Sequence, residues 1–166
     1  MQLTIEQISE KYLRDAHKIY NYYIVNSYSN FEEKKLTFNK FHHNYKNIIK
    51  NKLPYLVALN EKEVVGLAYL NRFREKSGYR FAFENTIYIH HKHISQGIGY
   101  KLLKEMIDIS KNNKNIKIIV AVIGSKDSKG SFKLHEKLGF KKTGVLKKIG
   151  FKNNKWIDSI FLQKNL

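Results

Sequence analysis

Hydrophobic and polar residues recur along this chain with two different periods, and these periods predict its elements. From Ser9 to Asn26 the apolar residues recur at spacings of three and four, which places them on one face of a helix. The same spacing predicts helices at Asn39–Lys50 and Gly97–Lys111, and a short helix at Ser131–Leu138 that Gly139 ends. The chain therefore has helices in both of its halves.

Shorter apolar runs between these helices predict strands. They are Tyr55–Leu59, Val64–Phe73, Ala82–Ile89, Ile116–Ile123, Phe140–Phe151 and Trp156–Leu162. The first two are separated by a turn and are expected to form a hairpin, and the last two form another. Strands that alternate with helices in this order favour a mixed α/β sheet with helices on both faces, in a single domain that spans residues 1–166.

Composition narrows the classes of protein. The 166 residues include no Cys, which excludes disulfides, Cys–metal sites and a cysteine acyl-enzyme and fits a reducing cytoplasm. No apolar run reaches the ~20 residues of a membrane span, and the polar start of the chain has no signal-peptide pattern. We therefore expect a cytoplasmic protein with neither a membrane nor a metal as partner.

The chain is strongly basic, with 31 Lys and Arg against 14 Asp and Glu and a net charge of +17. Such a charge attracts nucleic acid, acidic membranes or phosphorylated cofactors. The basic residues are spread from Lys11 to Lys164, and no recognisable nucleic-acid-binding motif is present. We expect no specific nucleic acid and prefer a solvated surface with a local phosphate site, although a basic nucleic-acid-binding module stays open as an alternative.

The most informative junction runs from Ile87 to Tyr100, where a strand, a polar loop and a helix follow one another with Gly97 and Gly99 at the helix start. Glycine lets the backbone turn tightly and approach a ligand closely. The first N–H groups of a helix lack partners within it and carry the positive end of its dipole, which suits a pyrophosphate. An ordinary strand–helix turn has the same pattern, and neither a P-loop nor a dinucleotide fingerprint is present.

Nine short segments carry a resemblance to a known family. They are Ile19-Tyr20-Asn21, Asn30-Phe31-Glu32, Phe73-Arg74, Glu84-Asn85-Thr86-Ile87-Tyr88-Ile89, Gln96-Gly97-Ile98-Gly99, Ala121-Val122-Ile123-Gly124, Leu134-His135-Glu136, Gly150-Phe151-Lys152 and Trp156-Ile157-Asp158. Together they resemble the GNAT acetyltransferase superfamily and, within it, the phosphinothricin and methionine sulfoximine N-acetyltransferase family. The resemblance implies the GNAT fold, an α/β (α+β type) architecture with a central, mixed and mostly antiparallel sheet of about seven strands flanked by about four helices.

The resemblance also implies acetyl-CoA as co-substrate, a homodimer, and a place among antibiotic and herbicide resistance enzymes. The pantetheine arm of acetyl-CoA is expected to pair with the backbone of Ile87, Tyr88 and Ile89. The predicted pyrophosphate contacts are Ser95, Gln96, Gly97, Ile98, Gly99 and Tyr100. Two positions depart from the family pattern: Ile94 replaces an Arg or Gln, and Ser128 replaces an Asn that contacts the cofactor.

Two residues are candidates for proton transfer. An amine that attacks a thioester must lose a proton, and Glu84, in an otherwise apolar strand, is a carboxylate whose pKa such surroundings raise toward a working base. A solvent-facing carboxylate is the alternative, because alternation places Glu84 opposite Phe83.

His135 lies on the short helix, where Leu134 and Leu138 are the expected i, i+4 core pair, so His135 is expected at the edge of that apolar face. A lone His in such a place is usually structural, whereas by resemblance His135 is a general acid or base. The absence of Cys favours direct transfer in a ternary complex. The resemblance implies that backbone N–H near Ile89 meets the oxyanion.

The acceptor is expected to be a small amino-acid-like molecule. Arg74, Lys76 and Tyr79 follow the strand Val64–Phe73 and would suit a carboxylate, phosphinate or sulfoximine group. An exposed basic loop is the alternative. Phe31 matches a substrate-wall position of the family. A protein N-terminus, including that of a ribosomal protein, remains a possible acceptor.

Overall fold

A computed structural model describes residues 2–126 and 129–166, and within them seven strands form one sheet. The strands are β1 Leu3–Gln7, β2 Tyr55–Asn60, β3 Glu63–Arg72, β4 Ala82–Ile89, β5 Ile118–Gly124, β6 Lys141–Lys152 and β7 Lys155–Asn165. The α-helices are α1 Leu13–Asn26, α2 Phe38–Lys50, α3 Ile98–Lys111 and α4 Lys129–Lys137. Short 3-10 turns occupy Glu10–Tyr12, Ser77–Tyr79 and His91–His93.

The predicted elements are present, and their boundaries differ where local chemistry decides. The helix predicted from Ser9 begins as a 3-10 turn and becomes α-helical only at Leu13. The strand predicted from Ile116 begins at Ile118, because the Ile116 N–H donates to the Asn113 carbonyl in a turn. Propensity and periodicity locate elements more reliably than they locate the ends of elements.

The strand order is β1-β2-β3-β4-β5-β7-β6. Only β4 and β5 pair in parallel; the five other adjacent pairs of the described sheet are antiparallel. The mixed, mostly antiparallel sheet that the resemblance implies is therefore confirmed. Since β4 and β5 are the parallel pair, they require a crossover connection, and α3 supplies it.

Helices cover both faces of the sheet, as predicted. On one face Tyr69 of β3 contacts Tyr55, which in turn contacts Tyr45 of α2. On the other face lies Gly66, where an added Cβ would be 3.4 Å from Leu102 of α3. Alternation along β3 thus assigns α1 and α2 to one side and α3 to the other, with the hydrophobic core on both sides of the sheet.

Candidate active site

Strands β4 and β5 stay paired over only a short stretch. In the described part of the chain, their pairing covers Ala82–Glu84 on β4 and Ile118–Val120 on β5. Beyond Glu84 the two strands separate, and a cleft of about 610 Å³ lies between them. A cleft of that size is in the range of small-molecule and cofactor sites.

The edge of β4 that faces this cleft presents backbone groups to it. The His90 N–H donates to the Val65 carbonyl at 2.9 Å, which directs the backbone groups of His90 toward β3. Backbone groups alternate in direction along an antiparallel pair, so those of Ile87 and Ile89 are directed toward the cleft. The Tyr23 hydroxyl donates to the Ile89 carbonyl oxygen at 2.5 Å. The N–H of Ile89 and both backbone groups of Ile87 therefore face the cleft, where an extended ligand with amide groups can pair with them as a strand would.

The two glycines at the start of α3 serve different purposes. Gly97 has a φ of 77°, in the left-handed region, and an added Cβ would meet nothing within 4 Å. A Cβ on Gly99 would lie 3.3 Å from Leu134 of α4 and 3.6 Å from Ile89 of β4. Gly97 is thus needed for its left-handed backbone conformation, and the surface beside it is open. Gly99 is needed because a side chain there would crowd the helix start between α4 and β4.

Most of the predicted cofactor-binding residues line the cleft. Those that do are Ile87, Tyr88, Ile89, Ser95, Gly97, Ile98, Gly99 and Tyr100. Gln96 is exposed and is not part of the lining. Ser128 lies outside the described residues. Ile94, which replaces a polar family residue, lines the cleft with its side chain largely exposed.

Glu84 is the last residue of β4 that is paired with β5, so it lies where the two strands begin to separate. It lines the cleft and is half-buried rather than solvent-facing. Burial raises the pKa of the Glu84 carboxyl above its ordinary value, and the Arg74 guanidinium acts in the opposite direction. The carboxyl therefore has the environment predicted for it, with a cation of the predicted basic cluster near enough to affect it.

The two predicted catalytic residues belong to opposite faces of β4. Glu84 and Asn85 are successive strand residues, so their side chains point to opposite sides. The Asn85 Nδ2 donates to Nε2 of His135 at 2.9 Å, which places His135 on the side opposite Glu84. Nδ1 of His135 lies 2.7 Å from the Ser131 carbonyl oxygen. Because a carbonyl only accepts, Nδ1 carries the proton and Nε2 is the acceptor for Asn85.

The prediction that His135 lies at the edge of the apolar face of its helix is wrong. His135 is 2% exposed, and its ring meets Phe140 edge-on with the centroids 4.9 Å apart. Leu134 and Leu138, the expected core pair, are only half-buried. The reason is that the polar Asn85 on β4 gives the imidazole a partner inside the protein. Burial lowers the pKa of His135, which keeps the ring neutral.

The predicted acceptor residues cluster outside the cleft lining. The Arg74 guanidinium lies 4.9 Å from the centroid of the Phe73 ring, and the Tyr79 ring meets Phe73 at 6.0 Å. Lys76 is exposed and precedes the 3-10 turn that carries Tyr79. The structure thus brings Arg74 and Tyr79 together on Phe73.

Phe31 lies in the α1–α2 loop, residues 27–37, and is 39% exposed. An added Cβ would lie 3.2 Å from its ring at Gly124 and 2.6 Å from it at Gly150. Phe31 therefore packs on the glycine backbone of β5 and β6 at the side of the cleft, with part of its ring buried and part exposed.

Sequence reasoning missed several side chains that line the cleft: Tyr23, Ser27, Ser29 and Asn85. Only Asn85 had a signal, since it is an uncharged polar residue in an apolar strand directly after Glu84. Tyr23 belongs to the apolar face of α1 and is indistinguishable by pattern from core residues. In the part of the chain that the structure describes, no helix is long and apolar enough for a membrane span, and no cluster of three or more His, Cys, Asp or Glu could hold a metal ion.

The profile of the acetyltransferase (GNAT) domain family matches residues 5–161. The chain therefore belongs to the GNAT acetyltransferase family, and acetyl-CoA is its acyl donor. A phosphinothricin N-acetyltransferase from Alcaligenes faecalis is 31% identical over 163 residues, which are 98% of this chain and 82% of that relative. The resemblance drawn from the nine segments is confirmed.

Two solved structures share the fold. A phosphinothricin acetyltransferase from Sinorhizobium meliloti in complex with acetyl-CoA superposes with a TM-score of 0.94 at 33% identity, covering 100% of this chain and 89% of that one. A ribosomal-protein-alanine N-acetyltransferase from Brucella melitensis reaches a TM-score of 0.94 at 31% identity, covering 98% and 99%. The fold alone therefore does not indicate which acceptor an enzyme of this family acetylates.

Proposed function

We propose that this enzyme acetylates the amino group of a small amino-acid-like acceptor of the phosphinothricin or methionine sulfoximine type. The observation that carries the proposal is Glu84, a half-buried carboxyl with a raised pKa at the point where β4 and β5 separate, close enough to Arg74 to be affected by its charge. One group can accept the proton of the amine while the other attracts an anionic end of the same molecule.

Glu84 acts as the base in this proposal. The acceptor amine reaches the site as an ammonium, transfers a proton to the Glu84 carboxylate directly or through one water, and attacks the thioester carbonyl carbon. The thioester oxygen that becomes negative is met by the Ile89 N–H, which faces the cleft. The nitrogen, positively charged after the attack, loses its second proton as the C–S bond breaks, and the departing thiolate takes up that proton directly or through water. The absence of Cys supports direct attack in a ternary complex.

The hydrogen bonds of His135 support a positioning role rather than general acid catalysis. Its Nε2 accepts from Asn85 and its Nδ1–H donates to Ser131. A neutral ring in this arrangement has no proton directed at the cleft. We propose that His135 orients the Asn85 amide, which lines the cleft on the cofactor side of β4, and that Glu84 carries the proton transfer.

Acceptor selection is proposed to depend on Arg74, Tyr79 and Phe31, with Lys76 as an exposed cation at the entrance. Arg74 and Tyr79 share contacts with Phe73, which limits their freedom. A guanidinium held in this way suits a carboxylate or phosphinate, because it offers two parallel hydrogen bonds.

The experiment is a screen for acetyl-CoA-dependent release of free thiol. The acceptors are phosphinothricin, methionine sulfoximine, methionine sulfone, the free amino acids and peptides that begin with the N-termini of ribosomal proteins. Turnover of the sulfoximine, sulfone and phosphinate compounds supports the proposal. Turnover of the peptides alone would assign the chain to protein N-terminal acetylation instead, the reading that the Brucella structure favours.

A homodimer, a cytoplasmic location and a role in resistance to such compounds are further parts of the proposal. The dimer is supported by four exposed apolar side chains of the β6–β7 hairpin: Leu146, Ile149, Phe151 and Trp156 are 47–59% exposed, and the rings of Phe151 and Trp156 are in contact. Size-exclusion chromatography with light scattering tests it. A parent dimer that becomes monomeric in Trp156→Lys supports this surface, and a monomeric parent overturns it.

A further inference from the structure

The α1–α2 loop has little regular structure of its own, although it contributes Ser27 and Ser29 to the cleft and carries Phe31. Local hydrogen bonds hold part of its backbone, such as that from the Ser29 N–H to the Ser27 Oγ at 3.2 Å, and further contacts come from elsewhere in the chain. One contact comes from β4, where the Tyr88 hydroxyl donates to the Ser29 carbonyl oxygen at 3.2 Å. The position of the loop thus depends on side chains that are distant in sequence.

The strongest contact comes from Lys152, at the end of β6. Its side chain is 1% exposed, and its Nζ donates to the carbonyl oxygens of Ser27 at 2.9 Å and Asn30 at 2.5 Å. A buried ammonium is costly unless hydrogen bonds satisfy it. Here the carbonyls of Ser27 and Asn30 provide those bonds. One cation therefore fixes both ends of the four-residue segment 27–30.

The surroundings of Lys152 leave this segment little freedom. An added Cβ at Gly124 would lie 2.5 Å from the Tyr28 carbonyl oxygen, so the loop backbone rests directly on β5. Burial lowers the pKa of Lys152, while the carboxylates of Glu33 and Glu32 act in the opposite direction. The loop that receives the cation also carries the charges that favour it.

We propose that Lys152 is a positioning residue of the acceptor site: its ammonium holds the backbone of residues 27–30 so that Ser29 lines the cleft and Phe31 lies at its side. This inference rests on the proposed function. The hydrogen bonds of the Lys152 ammonium go to the loop backbone and not to the start of α3, where the pyrophosphate is proposed to bind. Loss of the Lys152 charge is therefore expected to weaken use of the acceptor and to leave acetyl-CoA binding intact.

The chain contains no Cys, which permits a chemical test of the charge alone. Lys152→Cys is alkylated in denaturant with 2-bromoethylamine, which restores an ammonium on a side chain of equal length, or with 1-iodopropane, which gives a neutral side chain of the same shape. Both forms are refolded. Lys155→Met, an exposed Lys paired with Lys152 across the hairpin, is the control.

The propyl form is expected to raise the acceptor KM about tenfold to a hundredfold, as misplacement of a substrate-positioning element does. Its acetyl-CoA Kd, from calorimetry, should stay within about twofold of the parent value, and amide exchange at residues 27–31 should be faster. The aminoethyl form and Lys155→Met should match the parent in all three measurements.

Four results would overturn the inference. Equal acceptor KM for the propyl and aminoethyl forms would show that the charge is irrelevant. A parallel loss of acetyl-CoA affinity, or failure of only the propyl form to refold, would make Lys152 a general folding residue. If the parent turns over the acceptor but amide exchange at residues 27–31 of the propyl form equals that of the parent, the loop is held by other contacts. A different result would contradict the proposed function instead. In that case the parent acetylates none of the screened acceptors, although amide exchange at residues 27–31 is still faster in the propyl form.

Discussion

The two ligands proposed for this enzyme would be recognised by different means. The proposed cofactor face consists of the backbone groups of Ile87 and Ile89 on the edge of β4 and of the helix start at Gly97. The proposed acceptor face, on the α1 and α2 side of β4, consists of side chains, namely Glu84 and Phe31, held by further side chains such as Lys152.

The difference explains which sequence changes each face tolerates. Backbone recognition depends on conformation, so Ile94 can replace a polar family residue without removing the groups that face the cleft. Side-chain recognition depends on residue identity and on the packing that holds each group in place. The cofactor face is therefore suited to a shared co-substrate, and the acceptor face to a selected one.

Glu84→Gln gives the largest expected effect and tests the acceptor face at its reacting group. If Glu84 is the base, kcat should fall by about 10²- to 10⁴-fold at neutral pH. The loss should shrink as pH rises, because more of the amine then arrives deprotonated. The measurement is a pH–rate profile of kcat/KM, with His135→Ala alongside. An active Glu84→Gln beside an inactive His135→Ala would reverse the proposed roles.

The same substitution has an effect on stability with a defined sign. The pKa of Glu84 is raised in the folded state by burial, so the folded protein binds this proton more tightly than the unfolded chain does. Stability from this group is therefore present at low pH and is lost as pH rises through the folded pKa. Glu84→Gln should raise Tm at neutral pH, and the gain should vanish near pH 4. A gain that is constant across pH would exclude the linkage.

Arg74→Ala tests whether the acceptor face reads charge. A charge-assisted pair contributes about 1.5–3 kcal/mol, so the acceptor KM should rise about tenfold to a hundredfold while acetyl-CoA affinity is unchanged. Removal of this guanidinium also raises the pKa of Glu84, which moves the acid limb of the pH–rate profile to higher pH. Arg14→Ala, an exposed Arg stacked on Phe38, is the control. A loss shared equally by both substrates would indicate misfolding.

Gly97→Val tests the cofactor face through backbone conformation. A Cβ at this position meets no protein atom within 4 Å, so Val acts through the positive φ and by occupying the open surface proposed for the pyrophosphate. Forcing a non-glycine residue into the left-handed region costs about 1–2 kcal/mol, and acetyl-CoA affinity should fall about tenfold as the helix start shifts. Gly144→Ala, which has equal space and no positive φ, is the control. Calorimetry that finds unchanged binding would contradict the assignment of this turn to the pyrophosphate.

Tyr23→Phe is the mildest change. It sharpens the comparison of the two faces, because Tyr23 is a side chain that contacts the β4 backbone of the cofactor face. It removes the hydrogen bond to the Ile89 carbonyl but keeps the ring that stacks on Tyr88 at 4.8 Å. A single hydrogen bond is worth about 0.5–1.5 kcal/mol, so kcat/KM should fall about two- to tenfold. Tyr22→Phe, on the same helix, should have no effect. A hundredfold loss would make Tyr23 a direct participant in the reaction.

The sequence predicted the local features of the site better than its long-range contacts. The spacing of Gly97 and Gly99 after an apolar strand is a local signal, and the turn follows from it. The Asn85–His135 pair joins positions 50 residues apart, and the contacts of Lys152 span more than 120 residues. No local period carries information on such pairs. For the same reason, the helical pattern assigned Leu134 and Leu138 to the core and left His135 at its edge.

The early separation of β4 from β5 leaves the sheet incomplete, and in the proposed binding mode acetyl-CoA would supply the missing hydrogen bonds along β4. A ligand that completes a sheet binds only the folded chain, so it adds RT ln(1 + [L]/Kd) to the free energy of unfolding, about 2.7 kcal/mol at a hundredfold excess over Kd. The survival of the enzyme between encounters with its acceptor is thereby linked to the supply of its acyl donor. A cell short of acetyl-CoA would lose enzyme as well as substrate.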